Sequence, residues 1–147
     1  MNTRQIDSIL RSDPYAQSAF RGVFARDKSP QRVGLIAALV GNLDTSKNPG
    51  SHWVAVYIDP RGRGYYFDSY CLPPLYKKFE NFLNRNCVWW NFNRATWKAS
   101  FSTVRCQYCV YFLLCMCRDE PMRAIVSRFS PDVVENDRAV AQFAYFR

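Results

Sequence analysis

Residues 107–117 read Gln-Tyr-Cys-Val-Tyr-Phe-Leu-Leu-Cys-Met-Cys, a run in which nearly every side chain is apolar or aromatic. A helix with no polar face has nowhere to sit except inside, so this segment is expected to be buried on all sides. Everything else in the 147-residue chain must then be arranged around it. That length fits one domain, taken as residues 1–147. With 48% hydrophobic residues, a core can form without disulfides.

The enclosure is legible as strands and flanking helices. Trp53, Val54, Ala55, Val56, Tyr57 and Ile58 are apolar on both faces, the pattern of a central strand. Asp59-Pro60-Arg61-Gly62-Arg63 is a turn in which Pro60 fixes φ and Gly62 is free to take positive φ. Residues 64–70 return as a second strand, which makes a hairpin. Upstream, Asn2 or Thr3 can cap a first helix with Ile6, Ile9 and Leu10 on one face, stopped at Asp13-Pro14. Residues 20–24 form a short extended piece broken by Gly22, and the apolar run 33–40 a buried strand. After Pro73-Pro74, residues 75–83 suit an amphipathic helix with Leu75, Phe79, Phe82 and Leu83 inward, and residues 88–92 another strand. Two closing helices follow the buried one. The second is expected to have Ser130 as N-cap, Pro131 at its first position, Asp132 in its first turn, and an apolar stripe including Val133, Val134, Val140 and Phe143. The expected fold class is α+β: a small mixed or antiparallel sheet wrapped around one buried central helix.

Twenty Lys and Arg against 12 Asp and Glu give a net charge of +8, spread along the chain without a basic run. Such a surface can attract nucleic acid or acidic partners at low salt. No zinc-finger, helix-turn-helix or RNP signature accompanies it. No stretch approaches the ~20 apolar residues that cross a bilayer, and Met1-Asn2-Thr3-Arg4-Gln5-Ile6-Asp7 has no apolar h-region. A soluble intracellular protein, neither secreted nor membrane-bound, is expected. Free thiols are then the expected state of the six cysteines, of which Cys106, Cys109, Cys115 and Cys117 crowd into one segment. Ligands spread along a single helix do not easily converge on a tetrahedral ion. With no phosphate loop or dinucleotide fingerprint either, neither metal nor cofactor is expected.

His52 is the only histidine. It stands at the entrance of the first hairpin strand, and Asp68 stands near the end of the return strand. An odd-length hairpin loop sets the two side chains on one face as diagonal neighbours, whereas an even-length loop sets them on opposite faces. A carboxylate that orients an imidazole is half of a nucleophilic triad. The other half is a thiol, and Cys106 falls where the buried helix should begin, where a helix dipole and an imidazolium stabilise a thiolate. Cys109, one turn further in, is expected to be inert packing. Each residue alone has a bland reading as surface histidine, turn-capping carboxylate or core thiol; their coincidence raises the nucleophilic one.

At Gly50-Ser51-His52-Trp53-Val54-Ala55-Val56-Tyr57-Ile58 the chain resembles the adenovirus endopeptidase superfamily, which also includes the SUMO-deconjugating proteases. The His-Trp pair opening an apolar strand is typical, as is an acidic residue some 16 positions on, within Tyr66-Phe67-Asp68-Ser69-Tyr70. Residues 20–27, the loop around Asn42 and Asp44, and Asn136-Asp137-Arg138 are similar to the adenain-like proteases of viruses and large DNA mobile elements. The resemblance spans about residues 17–145. It implies a papain-like cysteine protease fold of the adenain type. It also implies hydrolysis of peptide or isopeptide bonds, with Cys106 as nucleophile, His52 as base and then acid, and Asp68 as orienter. Trp53 would flank the site, and its backbone could help bind the oxyanion. A protein or polyprotein substrate is implied, with an activating peptide or DNA as a further partner, in a host nucleus, host cytoplasm or virion. The chain departs from the family at Val104-Arg105-Cys106-Gln107-Tyr108-Cys109, where Val-Cys-Gly-Gln-Tyr-Cys is expected. An ungapped match sets Arg105 in the nucleophile's place; a one-residue shift restores Cys106 but loses the glycine. The family's oxyanion glutamine is also missing, since no Gln occurs between Gln31 and Gln107. Lys98 is the candidate electrostatic substitute, and losing one such donor costs about 10²–10³ in rate. The alternative is a degenerate copy that keeps the fold and a peptide-binding groove. A basic nucleic-acid-associated module is a third possibility.

Overall fold

A computed structural model describes residues 1–44, 52–94, 105–129 and 132–146. Helix α1 (Thr3–Ser12) starts with a reciprocal cap: the Asn2 side chain accepts from Gln5 N, and the Gln5 side chain accepts from Asn2 N. Its apolar stripe buries Ile6 and Leu10, as the spacing predicts. Five strands follow along the chain, β1 (Phe20–Ala25), β2 (Ala37–Asn42), β3 (Trp53–Ile58), β4 (Arg63–Asp68) and β5 (Trp89–Phe92), and they lie in that same order across one sheet. Helix α2 (Lys77–Asn86) connects β4 to β5; α3 (Arg105–Met116), α4 (Met122–Ser127) and α5 (Val133–Phe146) complete the α+β fold.

Of the mixed and antiparallel sheets that the sequence allows, the chain forms the mixed one. β2–β3 and β3–β4 pair antiparallel, but β1–β2 and β4–β5 pair parallel. Both edge strands are reached by crossovers, and a crossover returns the chain in the same direction, as a hairpin cannot. Helices lie over both faces. Ala55, Tyr57 and Phe67 belong to the cluster with α3, and Val54, Val56, Ile58 and Tyr66 to the cluster with Phe79, Phe82 and Leu83 of α2. This is why β3 has no polar face. Phe67 stacks on Phe112 of α3 with ring centroids 4.7 Å apart, and such a pair adds about 1 kcal/mol beyond the area it buries. α3 is buried along nearly its whole length, as an all-round apolar helix must be.

Several boundaries differ from expectation. Leu75 lies outside α2 and is 61% exposed, because the helix starts only at Lys77. β2 begins at Ala37, so the first part of the apolar run precedes the strand. Asp132 is not in the first turn of α5; it lies just before the helix, and its carboxylate accepts from Glu135 N. Ser130 and Pro131 lie outside the described residues. Among the described residues, no helix is long and apolar enough to cross a membrane.

Candidate active site

The β3–β4 turn decides where His52 and Asp68 go. Asp59 N donates to Arg63 O, and Asp59 Oδ1 accepts from both Arg61 N and Arg63 N, so residues 60–62 form an odd-length tip. Gly62 takes φ +79°, which an L side chain would resist. The resulting register pairs Val54 with Asp68, and His52 becomes the diagonal neighbour of Asp68. The two meet: His52 Nε2 lies 3.0 Å from Asp68 Oδ1 and 3.0 Å from Oδ2. A carboxylate can only accept, so Nε2 carries the proton and the lone pair of the neutral ring is on Nδ1. Nδ1 has no partner among the described residues.

Asp68 is itself held firmly. Its side chain is 1% exposed, against 21% for His52. Tyr70 N donates to Oδ1 at 2.8 Å, and the Tyr70 ring meets the imidazole edge-on at 5.0 Å. Asn93, just beyond β5, clasps the Asp68 backbone on both sides: its Oδ1 accepts from Asp68 N at 2.9 Å and its Nδ2 donates to Asp68 O at 2.7 Å. Asn93 is buried. It escaped sequence reasoning because a lone Asn after a short strand has no periodic signal. Leu43 N donates to His52 O and fixes the histidine backbone against the end of β2.

Cys106 is the second residue of α3, as expected, but its thiol is engaged elsewhere. Its single S–H proton faces two acceptors, Gln107 Oε1 at 3.0 Å and Met1 O at 3.4 Å from Sγ. No hydrogen bond joins it to His52. Burial pushes the Cys106 thiol up, against what a poised nucleophile needs. Cys109 is fully enclosed, and burial first, then the Asp68 charge, raises it well above the ordinary thiol range. Burial also raises Cys115 to about 11 and Cys117 to about 12. No disulfide joins any of the six cysteines. Trp53 packs against the α3 cluster. Arg105 opens α3, and Lys98 lies outside the described residues. Among the described residues, no group of three or more His, Cys, Asp or Glu could hold a metal ion.

The arrangement thus brings together an imidazole and its orienting carboxylate, and leaves the candidate thiol facing the N-terminal residue. Comparison with known proteins adds no relative: neither a protein-family model nor a curated protein matches this chain.

Proposed function

We propose that this chain is a cysteine peptidase of the adenain type, working slowly on peptide or isopeptide bonds through Cys106, His52 and Asp68. The observation that supports it is the His52–Asp68 pair, in which a buried carboxylate fixes the imidazole with Nδ1 unpaired among the described residues. The papain-like reading of the fold belongs to the same proposal: a central helix with a thiol in its first turn, beside a hairpin carrying the pair.

For hydrolysis, the Cys106 thiol turns from Met1 O toward Nδ1. The imidazole takes the thiol proton as Sγ bonds to the substrate carbonyl carbon, and the carbonyl pair moves onto oxygen. Collapse breaks the C–N bond, and the leaving amine takes the proton from His52. Water, deprotonated by the same nitrogen, then hydrolyses the thioester. Slow turnover is expected because burial raises the thiol and no glutamine lies between Gln31 and Gln107 to serve as the family's oxyanion donor.

The second reading is a binding module that has lost hydrolysis. It is favoured by the two acceptors that engage the Cys106 thiol proton, Met1 O and Gln107 Oε1. One experiment separates them. Wild type, Cys106→Ser and the double variant Arg105→Cys with Cys106→Gly are incubated with a proteome-derived peptide library, and new termini are read by mass spectrometry. Cleavage by wild type that both variants lose supports the peptidase. Cleavage gained only by the double variant means that Arg105 occupies the nucleophile's place and that the wild-type chain is a binder.

A further inference from the structure

Between β4 and α2 the chain runs Cys71-Leu72-Pro73-Pro74-Leu75-Tyr76. Residues 71–75 belong to neither helix nor strand, and Tyr76 is the extended residue before α2, at φ −103° and ψ 129°. Leu72, Leu75 and Tyr76 are all exposed. Among the described residues eight large apolar side chains are exposed, and three of them fall in this one connection. Polar residues would serve a mere connection as well, whereas clustered exposed apolar side chains mark an interaction site. We propose that Pro73-Pro74-Leu75-Tyr76 is a docking motif for a protein module of the WW kind, whose groove is lined with aromatic rings. The proposal is independent of any peptidase activity.

The backbone is the first support. A proline holds φ near about −65°, and Leu72 and Pro73, each followed by a proline, are steered away from the helical region. The segment is thereby biased to polyproline II before any partner arrives, so docking costs little further chain entropy. Spacing is the second. Polyproline II has about three residues per turn, so Pro73 and Tyr76 share one edge, and Leu72 and Leu75 another. A groove of aromatic rings takes the flat proline pair, and a neighbouring pocket takes the tyrosine ring with its hydroxyl. SH3 modules read Pro-x-x-Pro instead, and neither proline here has another proline three residues away.

The third support is how the segment is held. Cys71 N donates to Asp68 O at one end, and Tyr76 O accepts from Phe79 N and Glu80 N at the other. Both ends are fixed to the fold, and the prolines and Leu75 lie between them. The Arg26 guanidinium lies over the Tyr76 ring, 4.2 Å from its centroid, which steadies the ring without burying it. Tyr76 is 37% exposed, and its hydroxyl has no hydrogen-bond partner among the described residues. The tyrosine is therefore presented at the start of α2 with its polar tip open to a partner.

The test is calorimetric titration of the full chain with a recombinant WW domain that binds Pro-Pro-x-Tyr peptides. An SH3 domain that binds Pro-x-x-Pro peptides serves as the comparison. Saturable binding of the WW domain is expected, with none of the SH3 domain. Pro74→Ala and Tyr76→Ala should each weaken it at least about tenfold, whereas Leu75→Ser, between those two anchors, should change it less than about twofold. None of the three side chains belongs to either core cluster, so the variants should fold, which circular dichroism checks. The proposal is overturned if the WW domain does not saturate, or if the SH3 domain binds as tightly. It is equally overturned if Pro74→Ala and Tyr76→Ala bind like wild type, or if Leu75→Ser costs as much as Tyr76→Ala, the mark of a general apolar patch.

Discussion

A carboxylate that orients an imidazole must itself be held, or the two wander together. For Asp68 the holding groups are the N–H of Tyr70 on its oxygen and the two-sided grip of Asn93 on its backbone. Asn93→Ala removes both hydrogen bonds to the Asp68 backbone and a weaker one to Cys71 Sγ, and leaves Asp68 C=O with the Cys71 N–H. We expect a loss of about 2 kcal/mol by urea unfolding, together with weaker ordering of the His52 ring. An unchanged unfolding midpoint would mean that water replaces the amide at no cost. His52 and Asp68 were legible as candidates because one is the sole histidine and both sit at ends of a recognisable hairpin. Whether they share a face depended on loop parity, which residue types do not dictate. The direction of the Cys106 thiol was not legible either, because it depends on Met1, which is remote in sequence.

At the scale of elements, α1 is tied to the end of α3 by one ion pair. Arg118 donates to both carboxylate oxygens of Asp13, at 3.2 and 2.8 Å, and Tyr15 N and Ala16 N donate to Oδ1. Burial alone would raise the Asp13 carboxyl; the Arg118 hydrogen bonds and charge and the two backbone N–H groups outweigh it and hold it below its usual value. A depressed folded-state pKa contributes stability above the unfolded value of about 4, and that contribution disappears as pH falls through the folded value. Asp13→Asn should therefore cost about 2 kcal/mol at pH 7, less than a fully buried pair because Arg118 keeps contact with water. Urea midpoints should show the gap between wild type and variant narrowing below about pH 4. A gap of the same size at pH 3 would contradict the linkage. Element types were largely legible: α1 and α2 follow from apolar periodicity, β3 and α3 from unbroken apolar runs of strand and helix length, and β4 from the turn that precedes it. Their partners were less so. The parallel pairing of β1 and β5 arises from crossovers, and no local pattern at Phe20 or Trp89 distinguishes a parallel edge from an antiparallel one.

For the molecule as a whole, helices cover both faces of one sheet, and the hairpin presents the His52–Asp68 pair at one end. The thiols are graded by environment: Cys109 is sealed in, and Cys106 lies at the start of the same helix with Met1 beside it. The central claim is that Cys106 works with His52. Iodoacetamide labelling at about pH 6 tests it most directly, because an ordinary thiol near pKa 8.5 is almost unreactive there and an imidazole-paired thiolate is not. With modified peptides located by mass spectrometry, we expect labelling centred on Cys106, about tenfold slower in His52→Ala. Labelling of Cys106 at the same slow rate in wild type and His52→Ala would contradict the pairing.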